Sequence, residues 1–224
     1  IISFGIKNKS SMIKLVNIKK IGNKYSLSIN VNGNNISFFS KNDNKNNLYN
    51  ILASVAAIYT FVNIKRLKKN IFLNLKTPNG RGDISKIKLR NKKIFLIDET
   101  YNSNPLSLKI ALENFDKIEV KNSKKYLILG DMLELGKHSI NQHKLISKII
   151  NKTKINQVYV CGKYIKKTFE GLKPNKKAKI LNNKLDIFEL INKELNNNDY
   201  LMIKGSNSTG LHKITTNLKQ RISH

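Results

Sequence analysis

The sequence predicts an α/β chain in which a smaller antiparallel part precedes a larger, mainly parallel sheet. From Ile94 onward short apolar runs alternate with amphipathic stretches, the pattern of strands joined by helical crossovers. Before Ser40 the apolar runs are instead separated by Gly22-Asn23 and Asn32-Gly33-Asn34, which are hairpin signals. A length of 224 residues suits one large domain or two small ones, at roughly 100 to 200 residues each.

Taken in order, Met12 to Val16, Tyr25 to Val31 and Ile36 to Phe39 read as hairpin strands. After the polar break Lys41 to Lys45, Leu48, Ile51, Leu52, Val55, Ala56 and Tyr59 recur at helical spacing, with Asn46 or Asn47 as the N-cap. Ile71 to Leu75 is strand-like, and Thr77 to Asp83 is a loop by composition and the best linker. Further strands are expected at Ile94 to Ile97, Tyr126 to Leu129, Gln157 to Cys161, around Ala178 to Leu181, and at Tyr200 to Ile203. Helices fall between and after them, at Pro105 to Phe115, Ser139 to Asn151, Tyr164 to Gly171, Leu185 to Leu195 and Thr209 to Ile222. The architecture is Rossmann-like, but no GxGxxG accompanies it, so no dinucleotide is implied. No internal repeat is visible.

The stretch that organises the chain is Ile94 to Phe115, IFLIDETYNSNPLSLKIALENF. An apolar strand runs into Asp98 and Glu99, then Tyr101, Asn102, Ser103 and Asn104, and Pro105 opens a helix where its missing N–H costs nothing. Ligands of open α/β sheets bind at the carboxyl ends of strands, so this loop is the first place to look for chemistry. The same polar residues also suit a plain turn and helix cap, and position alone does not choose between the two. Gly130 to Gly136 and Lys204 to Ser208 follow later strands and should converge on the same rim, facing the upstream domain across the Arg81 linker.

Composition excludes several classes. Lys plus Arg number 42 against 14 Asp plus Glu, a formal charge of +28. The lysines are scattered through every segment, and Asn and Ile are equally inflated, so nucleic acid is not the expected partner, although a basic field still attracts anionic nucleotides. The lone Cys161 excludes an internal disulfide and a CxxC metal framework, and its apolar run suggests a buried thiol. No stretch approaches the roughly 18 to 20 apolar residues of a membrane span, and no signal peptide is visible, so a soluble, cytoplasmic chain is expected; a monomer is expected as well. The chain starts with Ile1 rather than Met.

Glu99-Thr-Tyr-Asn-Ser-Asn-Pro105 with Ser107 resembles the D-x-Y-N-A-N-P-x-S-M signature that begins the C-terminal domain of the Mur ligases that add D-alanyl-D-alanine. Gly130-Asp-Met-Leu-Glu-Leu-Gly136 with His143, and Lys204-Gly-Ser206, resemble that family's G-D-M-L-E-L-G with its later His and its K-G-S-R-S, in family order. Upstream, Asn47 to Ala53 is similar to H-N-x-x-N-A-L-A-A, and Gly80-Arg81-Gly82 to G-R-G. The resemblance covers nearly the whole chain. It implies the end of a Mur ligase central domain (1–86) followed by a Rossmann-like C-terminal domain (87–224). It also implies ATP-dependent joining of D-alanyl-D-alanine to UDP-N-acetylmuramoyl-tripeptide through an acyl phosphate, with Mg2+.

By the same resemblance Asn47 and Asn50 lie beside adenine, where an amide offers both a donor and an acceptor, and Arg81 reaches the phosphates with a planar, always charged fork. Glu99, Tyr101, Asn102 and Asn104 complete the ATP set, with Glu99 accepting from the ribose or a bridging water. Asp131, Glu134, Lys204, Gly205 and Ser206 fall on the substrate side. Each also has a plain alternative: Asn47 and Asn50 as cap and first-turn residues, Arg81 as an exposed charge, Asp131 and Glu134 as loop caps. His143 suits an interior position as well as a catalytic one, and its distance from His138 is wrong for metal ligation on one helical face.

Departures from the family pattern include Asn46 for His, Glu99 for Asp and Asn207 for Arg. Asp98 is available to compensate at the second; otherwise the site is weakened. No phosphate loop of the G-x-x-x-x-G-K-[ST] kind is present. In the family that loop, the magnesium ligands and the modified lysine precede the region matched here, so the chain is expected to be a fragment inactive alone. Alternatives are another member of the superfamily, such as the diamino-acid-adding ligase or a folylpolyglutamate synthase, which have D-Y-A-H-x-P at Tyr101 to Asn104, or a decayed, non-catalytic basic α/β module.

Overall fold

The computed structural model describes residues 1–8, 10–75, 80–89, 91–183 and 185–220. Two compact units divide at Lys76 and Thr77, ahead of the division expected at 86/87, because a strand straddling that point belongs to the second sheet. Thr77 to Asn79 of the expected linker lie outside the described residues.

In the first unit β1 (Phe4–Gly5) runs parallel to β2 (Ile13–Ile21), and β2, β3 (Lys24–Val31) and β4 (Asn34–Ser40) form an antiparallel meander. The β3–β4 turn places both Asn32 and Gly33 at positive φ, the conformation that a two-residue hairpin with right-handed twist requires. Helix α1 (Lys45–Tyr59) sets Leu48, Ile51, Leu52 and Val55 against Ile13, Leu27, Ile29 and Phe38. Its N-cap is Asn44, whose side chain accepts from the Asn47 N–H at 2.7 Å. Asn46 and Asn47, expected as caps, therefore sit inside the first turn.

Ile71 to Leu75 is not a strand. Turn bonds from Ile71 N–H to Lys68 O and from Leu73 N–H to Asn70 O coil it, and only Phe72 turns inward, edge-on to Phe38 at 5.1 Å.

The second unit holds a six-stranded sheet in the order β5-β6-β10-β7-β8-β9. Its elements are β5 (Asp83–Leu89), β6 (Lys92–Glu99), α2 (Pro105–Lys117), β7 (Lys125–Gly130), α3 (Ser139–Ile150), β8 (Gln157–Cys161), α4 (Lys166–Glu170), β9 (Lys177–Ile180), α5 (Leu185–Glu194), β10 (Tyr200–Lys204) and α6 (Leu211–Gln220). Only β5 is antiparallel. It escapes sequence reading because Ile87 and Leu89 alternate with charged residues and Ile84 is exposed.

Adjacent strand residues enter opposite cores. Leu96, Ile128 and Ile203 pack with Ile187, Ile191, Ile214 and Leu218 of α5 and α6. Ile97, Leu127 and Met202 pack with Leu108, Leu112 and Ile146 of α2 and α3. Both faces are covered, which is why these strands read as unbroken apolar runs. The last strand, β10, inserts between β6 and β7, pairing Lys204 with Glu99 on one side and Leu129 on the other. The loops after β6, β7 and β10 thus emerge side by side at one sheet edge.

Candidate active site

The β6 loop begins with two carboxylates that alternation sends apart. Asp98 is almost wholly buried and accepts from Thr100 N–H (3.1 Å), Thr100 Oγ1 (2.6 Å) and Lys219 Nζ of α6 (2.7 Å). Lys219 also reaches Asp83 at 2.5 Å. Burial would push the Asp98 carboxyl up, but the bonds from Lys219 and Thr100 outweigh it and hold the group below the ordinary carboxylate range. Asp98 therefore anchors α6 to the sheet and is not available to compensate for Glu99.

Glu99 faces the rim and is 22 % exposed, 3.4 Å from the ammonium of Lys204, which is itself only 1 % exposed. Lys204 also donates to the Asn102 carbonyl at 2.9 Å. Burial pushes the Glu99 carboxyl up against the pull of Lys204, and burial likewise pushes the Lys204 ammonium down against the pull of Glu99. The free face of Glu99 can accept hydrogen bonds. Lys204 is enclosed and acts on the β6 loop.

Arg81 stands beside this pair. Its guanidinium lies over the Tyr101 ring at 4.4 Å, the Tyr101 N–H donates to Gly80 O (3.0 Å), and the Gly82 N–H donates to Asp98 O (2.7 Å). Gly80 and Gly82 both have positive φ. A Cβ at Gly80 would lie 2.8 Å from the Tyr101 nitrogen, and one at Gly82 would lie 2.8 Å from Glu99 Oε1, so glycines alone allow this approach. The exposed Arg81 and Tyr101 present a cation and an aromatic face next to the Glu99 carboxylate. A cation, an aromatic face and a hydrogen-bond acceptor are thereby offered at one edge of the rim.

The remaining Asx residues shape the loop. Asn104 caps α2 in a reciprocal capping box with Ser107, and Asn102 Oδ1 accepts from the Ser103 N–H. In the first unit the Asn47 amide donates to Ser40 Oγ (2.9 Å) and Asn42 O (3.3 Å), while Asn50 is exposed.

On the β7 loop Asp131 accepts from the backbone N–H groups of Lys163 (3.0 Å), Tyr164 (2.9 Å) and Ile165 (2.7 Å), fixing the turn into α4. Gly162 is required there, since a Cβ would lie 2.6 Å from that carboxylate. His143 is fully buried; its Nε2 accepts from the Met132 N–H (3.0 Å) and its Nδ1 lies 2.7 Å from Ser139 O. This geometry fixes a neutral ring protonated at Nδ1. Glu134 is exposed, with φ of 64°. On the β10 loop the Ser206 hydroxyl accepts from the Leu133 N–H (2.9 Å) and donates to Ser103 O (3.2 Å). The roles of His143 and Ser206 as loop anchors have no sequence signal, because their partners are backbone groups, for Ser206 also distant in the chain. Among the described residues no group of three or more His, Cys, Asp or Glu is placed to hold a metal ion.

A six-stranded, mainly parallel sheet with a polar rim at its switch point defines the class: a Rossmann-like domain that gathers polar loops at one edge. The family described as "Mur ligase, glutamate ligase domain" matches residues 85–207. The chain belongs to that family. It is 31 % identical over 176 residues to the UDP-N-acetylmuramoyl-tripeptide--D-alanyl-D-alanine ligase of Buchnera aphidicola subsp. Acyrthosiphon pisum (strain APS), covering 77 % of this chain and 36 % of that one. It is 29 % identical over 218 residues to the ligase of the same name from Rickettsia prowazekii (strain Madrid E), covering 96 % of this chain and 46 % of that one. The chain thus spans less than half the length of these relatives.

Among solved structures, MurF ligase from Thermotoga maritima in complex with ADP aligns with a TM-score of 0.67 at 21 % identity, covering 98 % of this chain and 48 % of that one. A MurF structure from Acinetobacter baumannii aligns with a TM-score of 0.72 at 20 % identity, covering 98 % and 47 %. These structural likenesses bear on the fold. Among the described residues no helix is long and apolar enough to cross a membrane.

Proposed function

We propose that this chain supplies the C-terminal half of an ATP-dependent amide ligase that joins D-alanyl-D-alanine to UDP-N-acetylmuramoyl-tripeptide, a step of peptidoglycan precursor synthesis. The observation that carries the reading is the rim itself. The Glu99–Pro105, Gly130–Gly136 and Lys204–Ser206 motifs, far apart in sequence, are bonded to one another through Lys204 and Ser206. Relatives carrying the ligase name support the substrates.

In this reading the ATP side comprises Asn47, Asn50, Arg81, Glu99, Tyr101, Asn102 and Asn104. Arg81 meets phosphate as a charged fork, and the exposed edge of Glu99 accepts from ribose hydroxyls. Asp131, Glu134, Lys204, Gly205 and Ser206 form the substrate side. Glu134 offers an exposed carboxylate for the incoming ammonium, and Asp131, Lys204 and Ser206 shape the loops around it. When bound, Mg2+ would neutralise phosphate charge, with ligands outside this chain's rim. A cytoplasmic monomer fits the reading.

The test is reconstitution. The chain is combined with the N-terminal half of a full-length relative, and phosphate release is followed with ATP and both substrates. Release that depends on D-alanyl-D-alanine and on both halves supports the reading. No release from the pair, while the intact relative turns over, removes it.

A further inference from the structure

Ser206 bridges two loops that the proposed function gives to different ligands. Its buried hydroxyl accepts from the Leu133 N–H of the β7–α3 loop at 2.9 Å and donates to the Ser103 carbonyl of the β6–α2 loop at 3.2 Å. Its own N–H donates to Asp131 O at 3.0 Å. The bridge has a fixed footing. A Cβ at neighbouring Gly205 would lie 3.0 Å from both Leu211 Cδ1 and Thr209 Oγ1 and 3.2 Å from the Gly130 Cα, so the β10 turn is seated against the end of β7. Hydrogen bonds weaken steeply outside a narrow distance and angle range. A shift of either loop alone would therefore break one side of the hydroxyl's pair of bonds.

We infer that Ser206 is a positioning residue that couples the β6–α2 loop to the β7–α3 loop, so that both sides of the rim are ordered together. The assignment of nucleotide and amine to those sides rests on the function proposed above; the coupling does not, and it is tested without any ligand.

The experiment is amide exchange and 1H–15N NMR on the full chain. In Ser206→Ala the Leu133 amide should exchange on the order of five- to tenfold faster, the loss expected for one hydrogen bond of ordinary strength. Its proton should also move upfield, while the Met132 amide, held by His143, keeps its shift. Asn104→Ala, which loosens the β6–α2 loop by removing the α2 cap, should speed Leu133 exchange about threefold in the native background and not at all in the Ser206→Ala background. Should the alanine variant fail to fold, Ser206→Cys keeps the volume with a much weaker donor and acceptor and is read in the same way. Unchanged Leu133 exchange and shift on loss of the hydroxyl, or an effect of Asn104→Ala that persists without it, would overturn the coupling. Because no nucleotide is present, failure here leaves the ligase reading standing, and failure of reconstitution leaves the coupling standing.

Discussion

The Lys204 ammonium lies 3.4 Å from the Glu99 carboxylate and 2.9 Å from the Asn102 carbonyl, and it is the enclosed member of the pair. Removing the cation strands a partly exposed carboxylate and a loop carbonyl. Lys204→Met should destabilise the second unit by about 2 to 3 kcal/mol, below the range for fully buried pairs because Glu99 still reaches water. Urea unfolding checks this. A change under about 0.5 kcal/mol would mean the pair contributes no more than an exposed one.

The Asp98–Lys219 bond predicts opposite slopes at the two pH extremes. Asp98 is held below its ordinary value of 3.8, so its contribution is complete above that value and is lost as pH falls through the folded one. For Lys219, burial alone would lower the ammonium, but Asp83 and Asp98 raise it above 10.5, so its contribution is complete below 10.5 and is lost as pH rises through the folded value. The stability difference between the native chain and Asp98→Asn should be flat from about pH 5 to 9 and shrink at both ends. A difference that grows on acidification would contradict the assignment.

His143 should be neutral with its proton on Nδ1, which long-range 1H–15N NMR reads directly. His143→Phe leaves the Met132 N–H buried without its acceptor and should cost about 2 kcal/mol. A ring protonated at Nε2 would rule out the bond to Met132.

Ser103 predicts an effect of the opposite sign. Its hydroxyl is buried with no hydrogen-bond partner, so Ser103→Ala should be neutral or stabilising by up to about 1 kcal/mol. Thermal unfolding decides, and a clear loss of stability would show that the hydroxyl is bonded after all.

Much of this architecture was legible in the residues. The buried parallel strands announce themselves as apolar runs, and Pro105 after Asn104 marks the start of α2. The rest was hidden for identifiable reasons. The edge strand β5 makes its bonds through backbone and shows only Ile87 and Leu89 to the core. Ile71 to Leu75 has strand composition but a single inward residue, Phe72, so composition misleads. The loop-cap reading of Asp131 could be stated from sequence but not its partners, because the amides of 163–165 carry no side-chain signature. Lys125 donates to the Asp116 carbonyl in the last turn of α2 and Lys176 to the Thr153 and Ile155 carbonyls beyond α3, partners that no sequence pattern marks.

In the proposed function Gly80 to Gly82 and the loop after β6 make the nucleotide side of a rim whose substrate side is made by the loops after β7 and β10. Titrating ADP into the 15N-labelled chain tests it most directly. Shifts are expected to concentrate at Gly80 to Gly82 and Glu99 to Asn102 and to be abolished by Arg81→Ala. Shifts confined to the opposite sheet edge around Lys125 and Tyr200, or none at millimolar ADP, would contradict it.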